Sequence, residues 1–219
     1  MIHQVYITND PSPVALAKIE NVKAMYEHRL WNDADVRELL TNNFEPDVLW
    51  AYDELVPYSF KADLAKFAII YVHGGWYMDV SFSVLPNIDD YKNENGVFFK
   101  DTIDRYMACG MFYAPPGNQF LKKAIDIVVS NCKSQHYGVH SVDCTGPGAL
   151  GKAFDYSTDH CKGALTVIND TFCFVFGDTL IARGKKDGQH GGMAYLGDHS
   201  GGNYRHIWNA RQVYKSQLK

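Results

Sequence analysis

The chain predicts a layered α/β fold. Strand-like apolar runs alternate with helical patterns along most of its length, and several breaks between them carry Pro, Gly or a capping residue. Of its 219 residues, 46% are apolar, enough to bury a sizeable core in one domain. In sheets of this class ligands bind at the carboxyl ends of strands.

Residues 2–7 (IHQVYI) predict a first strand. Ser12 and Pro13 start a helix, serine as the cap and proline at the first helical position, running to about residue 28. Residues 29–31 make a short strand. Asp33 caps a second helix carrying Val36, Leu39 and Leu40, and Pro46 opens a third that ends near Leu55. A Pro86 turn precedes strands over 96–99 and 107–113. After Pro115, Pro116 and Gly117 comes a helix with Phe120, Leu121, Ala124, Ile125, Val128 and Val129 on its apolar face. Residues 145–148 (TGPG) begin another helix, and 165–168 and 172–176 are strands. From 184 to 202 the chain is rich in glycine and histidine and reads as a mobile loop, suited to a lid.

The most informative stretch is 58–84. Leu64, Phe67, Ala68 and Tyr71 recur at helical spacing, Gly74 suits a left-handed cap, and Trp76, Tyr77 and Met78 have strand composition. A four-residue strand climbs about 13 Å at roughly 3.3 Å per residue. A helix needs about nine residues for that distance. Counting back from His73 reaches Leu64, so Asp79 is expected level with Asp63 and Lys66, which share a helix face. Two carboxylates and an ammonium should converge. Read alone, the same residues also fit a plain helix–strand corner with a capping aspartate.

Composition narrows the function. A net charge of −4 and a pI near 6.1 argue against a nucleic-acid surface. Five cysteines without a CxxC pair suit reduced thiols in a cytoplasmic setting. No apolar run is long enough to span a membrane, which leaves membrane-surface association compatible with the sequence. There is no Walker loop, no GxGxxG after a strand, no GxSxG elbow and no zinc spacing.

Four segments in order resemble the DXD-containing sugar-transferring glycosyltransferases, glycosyltransferase family 32, similar in their core to the clostridial glucosylating toxins and the yeast initiating mannosyltransferase. These are residues 2–7, 30–33 (LWND), 60–84 with its D-x-x-K and GG-x-Y-x-D, and 145–147 (TGP). The resemblance implies a GT-A type, Rossmann-like nucleotide-binding sandwich with a mainly parallel mixed sheet. It implies a metal-dependent hexosyltransferase that retains anomeric configuration. A UDP- or GDP-sugar is the donor and a glycan or glycolipid the acceptor, in surface polysaccharide or oligosaccharide synthesis. Residues 1–114 would be the nucleotide-sugar half of a single domain, and 115–219 the acceptor side and C-terminal lid.

Residue by residue, the resemblance makes Asp79 the first aspartate of the DXD motif and a ligand of Mn²⁺ or Mg²⁺. Asp63 would contact the donor's ribose or sugar. Lys66 stands where the family has arginine, keeping the charge without the bidentate fork. Tyr77 would line the diphosphate, Tyr6 would stack on the nucleobase in place of tryptophan, and Trp208 would fold over the donor. Ser81 replaces the second DXD carboxylate. It would hold a coordinated water, with a further ligand from the tail among His199, Asn203 and His206. The alternative implied by Ser81 is a weak or inactive sugar-nucleotide-binding relative.

Overall fold

The structure, a computed structural model, describes residues 1–8, 11–159, 161–186 and 203–218. The chain begins with β1 (Ile2–Val5), α1 (Pro13–Lys23), β2 (His28–Trp31), α2 (Asp33–Asn43), α3 (Pro46–Glu54), α4 (Tyr58–His73) and β3 (Gly75–Met78). It continues with β4 (Ser83–Val84), β5 (Val97–Lys100), β6 (Met107–Ala114), α5 (Gln119–Ser134) and α6 (Pro147–Ala153). Strands β7 (Cys161–Ile168), β8 (Thr171–Phe176) and β9 (Thr179–Lys186) follow, then α7 (Tyr204–Asn209).

Local chemistry explains most boundaries. Ser12 Oγ accepts from the Ala15 N–H at 3.1 Å, with Pro13 in the first turn as expected. Helix α1 stops at Lys23, short of the predicted 28, because the chain must already be extended where His28 pairs with Ile2 in the sheet. At α2 the cap is Asn32 and not Asp33. Asn32 and Asp35 exchange side-chain-to-backbone bonds of 2.9 and 3.0 Å, a capping box. Asp33 is thereby free to accept from Arg37 and from the Tyr52 hydroxyl, each at 2.7 Å. Gly74 takes φ +66° against Pro116, whose ring lies 2.5 Å from where a Cβ would stand. Only glycine fits that corner, and it lets β3 turn directly off α4.

The described strands form one mixed sheet in the order β2-β1-β3-β6-β5-β7-β8-β9-β4. Parallel pairing joins β2, β1 and β3 and also β5 with β7; the other neighbours run antiparallel. The predicted loop from 184 begins as the end of β9, and 187–202 lie outside the described residues. Strands β4 and β9 and helix α7 were not expected from the sequence. Their placement matters: β4 follows β3 by four residues yet pairs with β9, Ser83 opposite Arg183. The far edge of the sheet therefore curls back beside the loop that leaves β3. One core lies between the sheet and α4, α5 and α6; a second, rich in aromatic rings, lies inside the curl around Trp76, Phe99 and Phe174.

Candidate active site

Strand β3 carries Asp79 to the carboxyl edge of the sheet. The Asp79 N–H donates to the Gly110 carbonyl at 2.8 Å, and its carbonyl accepts from the Phe82 N–H at 3.0 Å. The first bond continues the β3–β6 ladder by one residue; the second closes a turn over 79–82. Helix α4 runs alongside, and its i,i+3 pair Asp63 and Lys66 faces that turn.

Lys66 Nζ lies 3.0 Å from Asp63 Oδ1 and 3.1 Å from Asp79 Oδ1. The convergence expected from helix and strand rise is present. Lys66 is 3% exposed, Asp63 13% and the Asp79 side chain 36%, so the ion triplet runs from the interior to the cleft. Burial pulls the ammonium toward neutrality, but Asp79, backed by Asp63, outweighs it and holds Lys66 well above the usual lysine range. Its cation also sits 4.8 Å from the Tyr77 ring centroid.

Each carboxylate is aimed by a hydroxyl. Tyr77 OH donates to Asp79 Oδ1 at 2.6 Å, and Thr145 Oγ1 donates to Asp63 Oδ2 at 2.7 Å. Burial, followed by the Asp79 charge, raises the Tyr77 phenol far above its ordinary value, so it serves as a donor. Cys109 on β6 lies 3.6 Å from Asp63 Oδ1, and burial keeps it a thiol. Gly146, just ahead of α6, leaves room for this arrangement: a Cβ there would stand 2.6 Å from Asp63 Oδ2.

The triplet opens into a cleft of about 520 Å³ that runs from Tyr6 and Thr8 past Asp79 and Ser81 to Leu165 and Val167. A pocket of this size suits a small-molecule substrate. Tyr6 lines it but is only 3% exposed, packed with Ala15, Ile19 and Val80, so it forms wall and not an open stacking face. Tyr77 is 1% exposed and reaches the cleft chiefly through Asp79. Ser81 is buried at the cleft edge.

The tail is arranged differently from the expectation. Asn203 spends its side-chain oxygen capping α7, accepting from the N–H groups of Arg205 and His206 at 3.0 and 3.3 Å. Trp208 is outside the cleft, its indole N–H donating to the Tyr137 carbonyl at 2.9 Å. Neither reaches Asp79. His199 lies outside the described residues. Among the described residues no three His, Cys, Asp or Glu side chains cluster with metal-binding geometry.

Sequence reading missed several cleft residues, two polar pairs among them. Tyr204 and Arg205 arrive on α7, and Asp101 and Thr102 follow β5. Burial raises the Asp101 carboxyl, although the backbone N–H groups of Ile103 and Thr102 and the Thr102 hydroxyl oppose it. A signal for Asp101 existed: like Asp79, it directly follows an apolar strand. For Arg205 there was none.

The profile of the glycosyltransferase sugar-binding region containing the DXD motif matches residues 14–98. An uncharacterised glycosyltransferase of Acanthamoeba polyphaga mimivirus is 36% identical over 96 residues, 42% of this chain and 38% of that protein. The chain therefore spans well under half the length of that relative. The solved structure of the PaToxG glycosyltransferase superposes with a TM-score of 0.52 at 14% identity, covering 70% of this chain and 66% of that one. At that identity the likeness concerns the fold, which is an α/β sandwich of the GT-A type. Over residues 14–98, which hold Asp63, Lys66 and Asp79, the chain is similar to the DXD-containing glycosyltransferases.

Proposed function

We propose that the protein transfers a sugar from a nucleotide-sugar donor to an acceptor hydroxyl. The observation that carries this reading is the Asp63–Lys66–Asp79 triplet, held at 3.0 and 3.1 Å at the mouth of a cleft within the matched segment. A buried ammonium that stays charged is suited to stabilise negative charge growing on a leaving diphosphate. Asp63, fixed by Thr145, orients the donor.

A divalent cation fits the residues present in a minimal way. Asp79 Oδ1 is taken by Tyr77 and Lys66, while Oδ2 accepts no hydrogen bond from a described residue and the side chain borders the cleft. Mn²⁺ or Mg²⁺ can be held by one carboxylate when phosphates and water supply the rest. Asp79 would be the protein ligand, with Ser81 two residues on bonding a coordinated water. When bound, the ion supplies charge neutralisation at the diphosphate. In our reading the acceptor attacks the face from which the diphosphate leaves, and that phosphate takes the hydroxyl proton, retaining anomeric configuration.

A second reading rests on two observations. Ser81 brings no second carboxylate, and the inner oxygen of Asp79 is already satisfied by Lys66 and Tyr77. A relative that binds sugar nucleotides with little turnover has these features. Incubating the protein with UDP- and GDP-sugars, with and without Mn²⁺, and measuring released nucleoside diphosphate separates the two. Turnover lost in Asp79→Asn supports transfer; stabilisation by a donor without turnover supports the binding relative.

A further inference from the structure

We infer that Trp208 is a positioning residue for the donor site: from outside the cleft its indole N–H locks the 137–145 segment, and through that segment it aims Asp63. The inference rests on the transferase reading and adds to it a residue that acts through others. Trp208 Nε1 donates to the Tyr137 carbonyl at 2.9 Å. The Cys144 thiol donates to the same carbonyl at 3.7 Å, and burial pushes that thiol up to about 12, which keeps it a donor. The next residue is Thr145, whose hydroxyl holds Asp63 Oδ2 at 2.7 Å, and Asp63 Oδ1 lies 3.0 Å from Lys66 Nζ. Each link from the tail to the carboxylate centre is thus a hydrogen bond, an ion pair or the chain itself.

The segment between those ends is tied up within itself. Asp143 Oδ2 accepts from the N–H groups of Val139 and His140 at 2.8 and 2.9 Å, and its Oδ1 accepts from the Tyr106 hydroxyl. Asn131 on α5 donates to the carbonyls of Asp143 and Cys144 at 3.3 and 3.0 Å. A close-packed unit of this kind transmits a displacement and does not absorb it. Because Tyr106 and Asn131 also hold residues 143–144, losing the Trp208 bond loosens the segment without releasing it. His140 and Val142 of the same segment line the cleft, so the lock shapes part of the wall as well.

Trp208 reaches Tyr137 from a fixed point. The Val56 N–H donates to the Val213 carbonyl at 2.8 Å, and the Ser216 N–H donates to Glu54 Oε1 at 2.9 Å. Val213 and Tyr214 are fully buried, and the Val213 N–H donates to the Tyr137 hydroxyl at 3.2 Å. The Arg211 guanidinium stands 4.4 Å from the Tyr137 ring and 5.2 Å from the Trp208 ring, bridging the two. The Trp208 ring packs against the core on the α4 side of the sheet. A tryptophan so placed has its N–H spent on a backbone carbonyl and its ring spent on packing. It serves the centre as a strut, not as a cover for the donor.

A double-mutant cycle on the full chain tests this, read by isothermal titration with the UDP- and GDP-sugars of glucose, galactose and mannose in the presence of Mn²⁺. Trp208→Phe keeps a ring and deletes the N–H donor, and it should weaken donor affinity about fivefold, as expected for one net hydrogen bond. In a Thr145→Val background the same change should cost less than about twofold, because its route to Asp63 is already cut. Arg211→Ala, at an exposed residue, should weaken affinity by about two- to fivefold and lose its effect in that background too, which keeps one arm interpretable if Trp208→Phe fails to fold. Trp50→Phe, at an exposed tryptophan outside the cleft, should change nothing. Hydrogen exchange of ligand-free Trp208→Phe should quicken over 138–145 and stay unchanged in α4. Equal losses in the two backgrounds overturn the inference and would put Trp208 on the donor itself. Unchanged exchange over 138–145, or a donor affinity that ignores both Trp208→Phe and Arg211→Ala, also overturns it. These outcomes leave the transferase reading intact, whereas a wild-type chain that binds none of the sugar nucleotides removes that reading and the inference together.

Discussion

Lys66 Nζ meets Asp79 Oδ1 at 3.1 Å across the gap between α4 and β3, and the same ammonium holds Asp63 at 3.0 Å. A single buried cation ties the helix to the strand end, so structure and chemistry share one residue. Removing one partner of a buried ion pair typically costs about 3–5 kcal/mol. Lys66→Met should lose stability of that order in urea unfolding, and donor turnover should fall by about 100-fold or more. Lys66→Arg, matching the family's usual residue, should recover more of both than methionine does.

Asp79→Asn keeps the shape of the side chain and removes its charge. Donor turnover should drop about 100-fold or more, while the melting temperature moves by only a few degrees. Full activity in this variant would displace the assigned centre.

Tyr77 acts through Asp79, as a positioning residue. Tyr77→Phe deletes one hydrogen bond of 2.6 Å, and a net loss of about 1 kcal/mol corresponds to roughly fivefold in kcat. KM for the donor should stay nearly constant. A change confined to KM would mean that Tyr77 contacts the donor directly.

Thr145→Val leaves Asp63 Oδ2 without its hydroxyl donor. Donor affinity, measured by titration, should weaken by about 5- to 100-fold, the range for a polar group left unpaired. Thr145→Ser should restore it. Unchanged affinity in the valine variant would make the 145–148 turn a simple helix cap.

Acid stability should report the opposite end of the sheet. Burial, then His73, the amino terminus and Arg29, lower His3 to about 4, and burial with Lys23 lowers His28 to about 4. The Trp31 indole N–H donates to His3 Nδ1 at 3.0 Å, which requires that nitrogen unprotonated. Between pH 6.5 and 4 the unfolded chain therefore binds more protons than the native one. Stability should be full above about pH 6.5 and fall as pH drops toward 4. Urea midpoints across that range check it, and His3→Gln should flatten the slope.

The triplet was legible in advance because helix and strand rises are fixed constants. Once Gly74 and Gly75 mark the corner, the level of Asp79 relative to Asp63 follows from counting. Ser12, Pro13 and Pro46 were legible for the same reason, since caps depend on neighbours within a turn. The tail was not. Resemblance assigned Trp208 to the donor and Asn203 to the metal, but a carbonyl at Tyr137 and the backbone of α7 claimed their polar atoms. Strand β4 is two residues long and gives no periodicity to read, and β9 pairs with it only because the sheet curls. The amino-acid order alone determined which groups meet at the end of β3, through local geometry. Long-range pairing decided what stands around them: the β7–β8 wall of the cleft, the hydroxyl of Thr145, Arg205 at the rim. Those contacts depend on how the described strands pair with one another, and no spacing along the chain encodes that pairing.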